Sequence, residues 1–398
     1  MEEKKIRVLS LDGGGSHAGI MARALGAIYP DLTGREIVKK FDYIVGTSGG
    51  SIVMTALCCN YTPLEIAGFY GDLPTLRKLF SPKWTAYIPF VRWVPLIPIY
   101  SSTGKYEALR WIFDRKMSGA SALPISQWPG EIDCPETRLI VSAFDYDKQR
   151  ATFFRSNLES PAASSSRPMD VPLIEAVHAS TNAPIAYFDK PAIVGERRYW
   201  DGGLGGYYNP VLAAVVEALA NQPNKSDADG IRVLSIGTHA QALPPSTEKG
   251  AAPPWGEPRA STCVVEAVKR AGKVILGDPP DAASYHVHMA LRQPLPKAGE
   301  TVSTGNVVRL CPLLRPAWNA QRGEWTPLNG VSPEEFKAMT HLDLAAMGSR
   351  EVEAIRKIAD RWIDGHIPNQ PIRRGEHFHC DIGHDTFRQA AAHWKEIS

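Results

Sequence analysis

Apolar and polar positions along this chain fall into short β-like runs, each closed by a glycine turn and followed by a helical stripe. Ile6-Arg7-Val8-Leu9-Ser10-Leu11 reads as a strand that Gly13, Gly14 and Gly15 break. Residues 16–29 then carry Ile20, Leu25 and Ile28 among alanines, a helical spacing that stops at Pro30. Residues 41–45 form a second strand, followed by Gly46-Thr47-Ser48-Gly49-Gly50 and an apolar helix reaching about Cys59. Strand, glycine turn and helix in repetition predict an α/β fold, a mostly parallel sheet covered by helices. Further strands are expected at 139–144, 152–155 and 231–236, with a short strand-like piece at 197–200. Helices are expected near 172–181, 210–220 and 263–276. Ser332-Pro333-Glu334-Glu335 is a helix start with a capping Ser and a Glu at the third position, and with residues 350–364 it predicts a C-terminal helical layer.

Composition changes this picture little. The chain has 398 residues, 44% of them hydrophobic, and 44 basic against 42 acidic residues. That balance lacks the concentrated basic surface a nucleic-acid polymer needs. The 33 glycines and 32 prolines predict many tight turns, and residues 156–170 and 240–262 read as loops. Six cysteines without a CxxC pair, and a start without an apolar signal region, read as reduced thiols in a cytoplasmic protein. Residues 43–64 carry no charge, but their glycines, Asn60 and Pro63 suit a buried strand, turn and helix better than a membrane span. Residues 84–100 interleave Trp84, Tyr87, Phe90, Trp93 and Tyr100 with three prolines. They read either as a rigid segment packed on the core or as an aromatic rim facing lipid, with Trp84, Phe90 and Trp93 as candidate substrate contacts.

Three turns could carry chemistry. Gly46-Thr47-Ser48-Gly49-Gly50 fits G-x-S-x-G, in which small residues flank a serine on a sharp strand-to-helix turn. Such a turn sets the hydroxyl at a helix N-terminus, which favours developing negative charge. Asp12-Gly13-Gly14-Gly15 exposes backbone N–H groups suited to an oxyanion hole or a phosphate cradle, but P-loop and dinucleotide spacings are absent. One oxyanion donor contributes ~3 kcal/mol to a transition state. Asp201-Gly202-Gly203 places a carboxylate in a third glycine turn. It could be an Asx-turn or, beside a serine, a base that burial must assist.

Together with Ala176-Val-His-Ala-Ser-Thr-Asn-Ala-Pro184, Asn209-Pro210 and Leu234-Ser-Ile-Gly-Thr238, these turns, in this order, resemble the patatin-like phospholipase family. The resemblance implies a three-layer α/β/α fold with extra C-terminal helices and a Ser–Asp dyad. Ser48 would be the nucleophile, Asp201 the base, and Gly13, Gly14 and Gly15 the oxyanion donors, with no cofactor. It implies a membrane phospholipid substrate reached by transient, peripheral contact at the inner face of the membrane. Family members usually carry a basic residue after the glycine run; here His17 stands nearest, a candidate for substrate contact whose charge depends on pH.

The catalytic part is expected within residues 1–240, and 241–398 as an extension with a loop and helices. The build also resembles patatin-like phospholipases switched on by cyclic nucleotides that degrade the cell's own membrane as a defence. That resemblance implies a cyclic dinucleotide activator, and a homo-oligomer is a further expected partner. Two rivals are a Ser–Asp–His hydrolase completed by His239, His286 or His288 and a non-catalytic storage or binding protein. The glycine run at the very first strand argues against the triad. In the tail, His366, His377, His379, His384 and His393 with Cys380 match no zinc spacing, so no metal is expected.

Overall fold

In the computed structural model the glycine-closed runs become β1 (Ile6–Leu11), β2 (Tyr43–Thr47), β3 (Arg138–Asp145), β4 (Arg150–Arg155), β5 (Ala192–Val194), β6 (Arg197–Asp201) and β7 (Ile231–Ile236). β8 (Ala240–Gln241) and β9 (Val307–Leu310) follow. The structure describes residues 5–87, 97–163, 169–185, 187–222, 227–244, 279–297, 300, 305–328, 330–374 and 380–398. One sheet runs β5-β6-β3-β2-β1-β7-β9, with β4 added on β3. The pairs β3–β2, β2–β1, β1–β7 and β7–β9 are parallel. β4, β5 and β6 run antiparallel to their neighbours.

Alternation along the strands divides the interior in two. Leu9, Leu11, Ile44, Leu234, Ile236, Val308 and Leu310 enter one apolar cluster. Val8, Tyr43, Val45, Ile231, Val233 and Val307 enter the other. A sheet whose side chains are buried on both faces needs a helical layer on each. On the first face lie α1 (Ala18–Ile28), α2 (Gly34–Val38), α3 (Gly49–Cys58), α4 (Pro63–Gly71), α5 (Leu73–Phe80), α6 (Ser102–Lys116), α7 (Trp128–Glu131) and α8 (Leu173–Ser180). On the second lie α9 (Val211–Ala220) and α10, described over 279–290. The C-terminal α11 (Pro333–Thr340), α12 (Ser349–Ile363) and α13 (Phe387–Ile397) return to the first face through Phe336, Ile358, Trp362 and Trp394. At ~1.5–3 kcal/mol for each large buried side chain, these two clusters dominate the favourable terms of folding. The fold is a three-layer α/β/α sandwich.

The uncharged run at 43–64 resolves into β2 and α3 with the start of α4, and no described helix is long and apolar enough to cross a membrane. The helix expected from residue 16 begins as a 3-10 turn over Gly15–His17 and becomes α-helical only at Ala18. Ser332 caps α11 as its spacing suggests, accepting from the Glu335 amide in a capping box. The helix expected at 263–276 lies outside the described residues. β9 was not assigned from sequence: it is four residues long and carries Arg309 in its middle, which breaks the apolar run.

Candidate active site

Register brings the three glycine turns to one end of the sheet. Leu11 pairs with Gly46 on one side and Ile236 on the other, so the carboxyl ends of β1, β2 and β7 lie side by side. In open α/β sheets this edge is where ligands bind.

The chain turns from β2 into α3 at Ser48, whose φ of 49° and ψ of −123° are rare for a residue with a Cβ. A sharp turn that close to β1 tolerates no side chain at Gly50, where a Cβ would come within 2.3 Å of the Leu11 carbonyl oxygen. The Ser48 amide donates to Ser180 Oγ at 2.8 Å, and its carbonyl accepts from Ser51 Oγ at 2.6 Å. Both bonds fix the turn, and Ser48 as a whole is 6% exposed.

Asp201 ends β6. Its backbone N–H donates to the Asn182 carbonyl at 3.1 Å and its carboxylate accepts from the Gly203 amide at 2.9 Å. Burial pushes the Asp201 carboxyl up to about 6, against the opposing pull of a hydrogen bond from the Ser48 side chain, the Gly203 amide and the Lys105 charge. No histidine is among the groups acting on it. A buried carboxyl titrating near 6 can accept a proton from a serine hydroxyl brought against it.

The glycine run passes beside this pair. A Cβ on Gly13 would lie 3.5 Å from Ser48 Cβ. The Gly13 amide donates to the Tyr208 carbonyl at 2.8 Å. Gly14 (φ 150°) and Gly15 (φ 53°) adopt conformations that disfavour any other residue, and no described acceptor takes their N–H groups.

Beside Ser48 lies a pocket of about 30 Å³, space for a water or two rather than an acyl chain. Ile52, Leu79, Phe80, Phe188 and Leu344 make its wall apolar. Lys105 lines it too, although 2% exposed: its ammonium donates to the His178 carbonyl at 3.0 Å and Asn182 Oδ1 at 2.9 Å, and sits 4.2 Å from the Phe188 ring centre. Burial drives its pKa well below the usual lysine value, against the Asp201 charge.

A family model for the patatin-like phospholipases matches residues 9–215, more than half of the chain. The chain belongs to the patatin-like phospholipase family. Among curated relatives of this patatin-like chain, an intracellular phospholipase A2 of Caenorhabditis elegans is 28% identical over 246 residues, 60% of this chain and 20% of that one. A cGAMP-activated phospholipase of Escherichia coli (strain TW11681) is 26% identical over 249 residues, 60% of this chain and 63% of that one. The chain thus spans between a fifth and just under two thirds of these relatives' own lengths. A solved structure, VipD from Legionella pneumophila, aligns over 99% of this chain and 75% of that one with a TM-score of 0.34 and 12% identity.

The other residues singled out in the sequence fall as follows. His17 is buried and does not line the pocket; its Nδ1 meets the Gly14 carbonyl at 2.9 Å and its ring lies 4.7 Å from that of His239. Burial lowers its pKa, which keeps the ring uncharged at neutral pH. Through the Gly14 contact its side chain braces the glycine run. His239 packs on His17, His288 Nε2 meets the Pro294 carbonyl at 2.9 Å, and His286 is exposed, so none of the three completes a triad with Asp201. Trp84 is 74% exposed on a 3-10 turn with Tyr87. Phe90 and Trp93 lie outside the described residues, as do His377 and His379. In the tail, the His384 and His393 rings pack 4.9 Å apart, and His366 is exposed.

Sequence reasoning passed over Lys105, Leu344 and Arg309. Lys105 had a signal: with Ala108, Leu109, Ile112 and Phe113 it occupies the buried stripe of α6, a place where a lysine needs a reason. Leu344 and Arg309 had none, since their importance comes from contacts made across more than two hundred residues of chain.

Proposed function

We propose that this chain is a serine acyl hydrolase that cleaves ester-linked acyl chains of membrane glycerophospholipids. The observations that carry the reading are the strained Ser48 turn and the buried Asp201, whose carboxyl burial raises to about 6 and the Ser48 side chain pulls back down. Ser48 Oγ attacks the ester carbonyl carbon as Asp201 takes its proton, and the resulting oxyanion is held by the Gly14 and Gly15 amides. The tetrahedral species collapses to an acyl-Ser48 ester, and Asp201 returns the proton to the departing lysophospholipid alkoxide. Water then enters and attacks the acyl carbon as Asp201 takes its proton; the second tetrahedral species expels Ser48 Oγ, to which Asp201 returns that proton, releasing the fatty acid and restoring Ser48 and the ionised Asp201. A base titrating near 6 is mostly ionised at neutral pH yet strong enough to accept the proton, the compromise general-base chemistry favours. In this reading residues 1–240 supply nucleophile, base and oxyanion amides, and 241–398 form an extension that covers them. Trp84 and Tyr87, exposed on one turn, supply a peripheral membrane contact.

Ser48→Ala and Asp201→Ala proteins, assayed on a fluorogenic acyl ester and on phospholipid vesicles, should both lose hydrolysis. Wild-type rates in either variant would sink the dyad, and loss on the ester alone would remove the phospholipid from the reading.

A second layer, activation by a cyclic nucleotide, is favoured by one observation. The pocket beside Ser48 is too small for an acyl chain, and Leu344 of the extension forms part of its wall. One relative is a cGAMP-activated phospholipase. Vesicle hydrolysis should rise when a member of a cyclic mono- and dinucleotide panel is added. Equal rates with every nucleotide and without one would remove the activator.

A further inference from the structure

Three consecutive glycines carry no side chains to pack, so something else must fix where their amides point. The run is tied at both ends by residues that lie beyond the family-matched stretch. At its far end, the Ser16 amide and hydroxyl both donate to the Leu344 carbonyl, at 2.9 and 3.1 Å, and the Ala346 amide donates back to Ser16 Oγ at 3.1 Å. At its near end, Arg309 of β9 grips Asp12 with two parallel bonds, Nη1 to Oδ1 at 3.0 Å and Nη2 to Oδ2 at 2.7 Å. The Arg309 and Asp12 side chains are 4% and 1% exposed.

This fork is itself held. Arg309 Nη1 also donates to Ser235 Oγ at 2.9 Å, the Arg309 carbonyl accepts from Asn369 Nδ2 at 2.9 Å, and the Asp12 amide donates to the Ile236 carbonyl at 3.0 Å. A Cβ on Gly237 would lie 2.6 Å from Arg309 Nη2 and 3.0 Å from Asp12 Oδ2, so the turn after β7 leaves just the space the pair needs. Buried ion pairs contribute little net stability compared with apolar side chains of the same volume, because desolvation offsets their attraction. What a two-pronged fork supplies and an apolar pair does not is a fixed angle.

We infer that Arg309 is a positioning residue for ester hydrolysis: through Asp12 it sets the orientation of the Gly14 and Gly15 amides at the developing oxyanion. The inference rests on the hydrolase reading above and adds to it a residue from the extension. It acts on charge that exists only in the transition state, so its loss is read in kcat and not in KM.

The test uses the full chain and a soluble p-nitrophenyl ester, with active sites counted by an organophosphonate taken to completion and Tm measured on the same samples. The variant Asp12→Leu with Arg309→Met replaces the pair by apolar side chains, and Arg309→Lys keeps the charge but removes the fork. Expected are a cooperative Tm near that of the wild type, kcat per titrated site lower by about 100-fold in the double variant, and KM within about threefold. Arg309→Lys should fall between the two proteins. Should the double variant not fold, Arg309→Lys carries the test alone: a lower kcat per site supports the inference, and a wild-type kcat per site overturns it. In a folded double variant, wild-type kcat per site would show that the pair only stabilises the protein and would overturn the inference, leaving the hydrolase reading intact. A wild-type protein whose ester hydrolysis survives Ser48→Ala would instead overturn that reading, and this inference with it.

Discussion

Replacing Asp201 by Asn should inactivate the protein and stabilise it, and the stabilisation should depend on pH in a direction the site dictates. Burial raises the Asp201 carboxyl from 3.8 to about 6. A shift of that size, at ~1.4 kcal/mol per unit, makes the ionised carboxylate a burden of at most ~3 kcal/mol on the folded state. The folded state binds this proton more tightly than the unfolded chain does. The group's favourable contribution is therefore complete below about pH 3.8 and is lost as pH rises through about 6. Asn carries no such titration and still offers an oxygen to the Gly203 amide, and any difference in that hydrogen bond is the same at every pH. Thermal melts of both proteins at pH 4.5 and 7.5 isolate the effect: Tm of Asp201→Asn minus Tm of wild type should be about 2 °C larger at pH 7.5. The wild-type rate follows the same proton. The kcat/KM for a soluble ester should fall about tenfold between pH 7 and pH 5, whereas a carboxyl at its ordinary value would leave it nearly flat. An equal Tm difference at both pH values, together with a flat rate profile, would refute the claim that Asp201 is desolvated and acts as the base.

Three further outcomes follow from the same geometry. Lys105→Met removes the buried positive charge that opposes the rise of the Asp201 pKa, so the acid limb of the kcat/KM profile should move to higher pH; an unmoved limb would show that Lys105 serves packing alone. Leu344→Ala takes a side chain from the pocket wall while leaving the carbonyl that holds Ser16, so the ratio of dodecanoyl to butanoyl ester turnover should rise several-fold, and an unchanged ratio would remove Leu344 from the acyl path. Trp84→Ala with Tyr87→Ala should lower hydrolysis of phospholipid vesicles several-fold and leave the soluble ester untouched; equal losses on both substrates would place these residues in folding and not at the membrane.

How much of this was legible in the sequence depended on how local the cause was. β7 begins and ends at the residues its β-branched pattern marks, and α11 starts where its capping box does, because neighbours a few positions apart decide both. The turns that hold Ser48 and Asp201 were legible for a similar reason: each is a glycine turn that only a close backbone approach requires, and both stand in the sequence as G-x-S-x-G and D-G-G. The engagement of Gly13 with Tyr208 was not legible, since a backbone amide looks the same whether its partner is a reacting ester or a carbonyl nearly two hundred residues on. β9 was missed for its shortness and for an arginine among valines and a leucine, which reads as an interruption until Asp12 is placed opposite it.

That arginine shows why a motif can mark chemistry without containing it. The matched stretch, 9–215, includes the proposed nucleophile, the proposed base and the glycine run, but the bonds that tie the run at its two ends come from residues 309, 344 and 346. Glycines lose the most backbone freedom on folding, so a run of three is the least self-determined part of the site and the part most dependent on outside anchors. Because the same strand and loop also build the sheet edge and the pocket wall, a change in how residues 305–348 sit on the sheet would alter amide orientation and pocket size together.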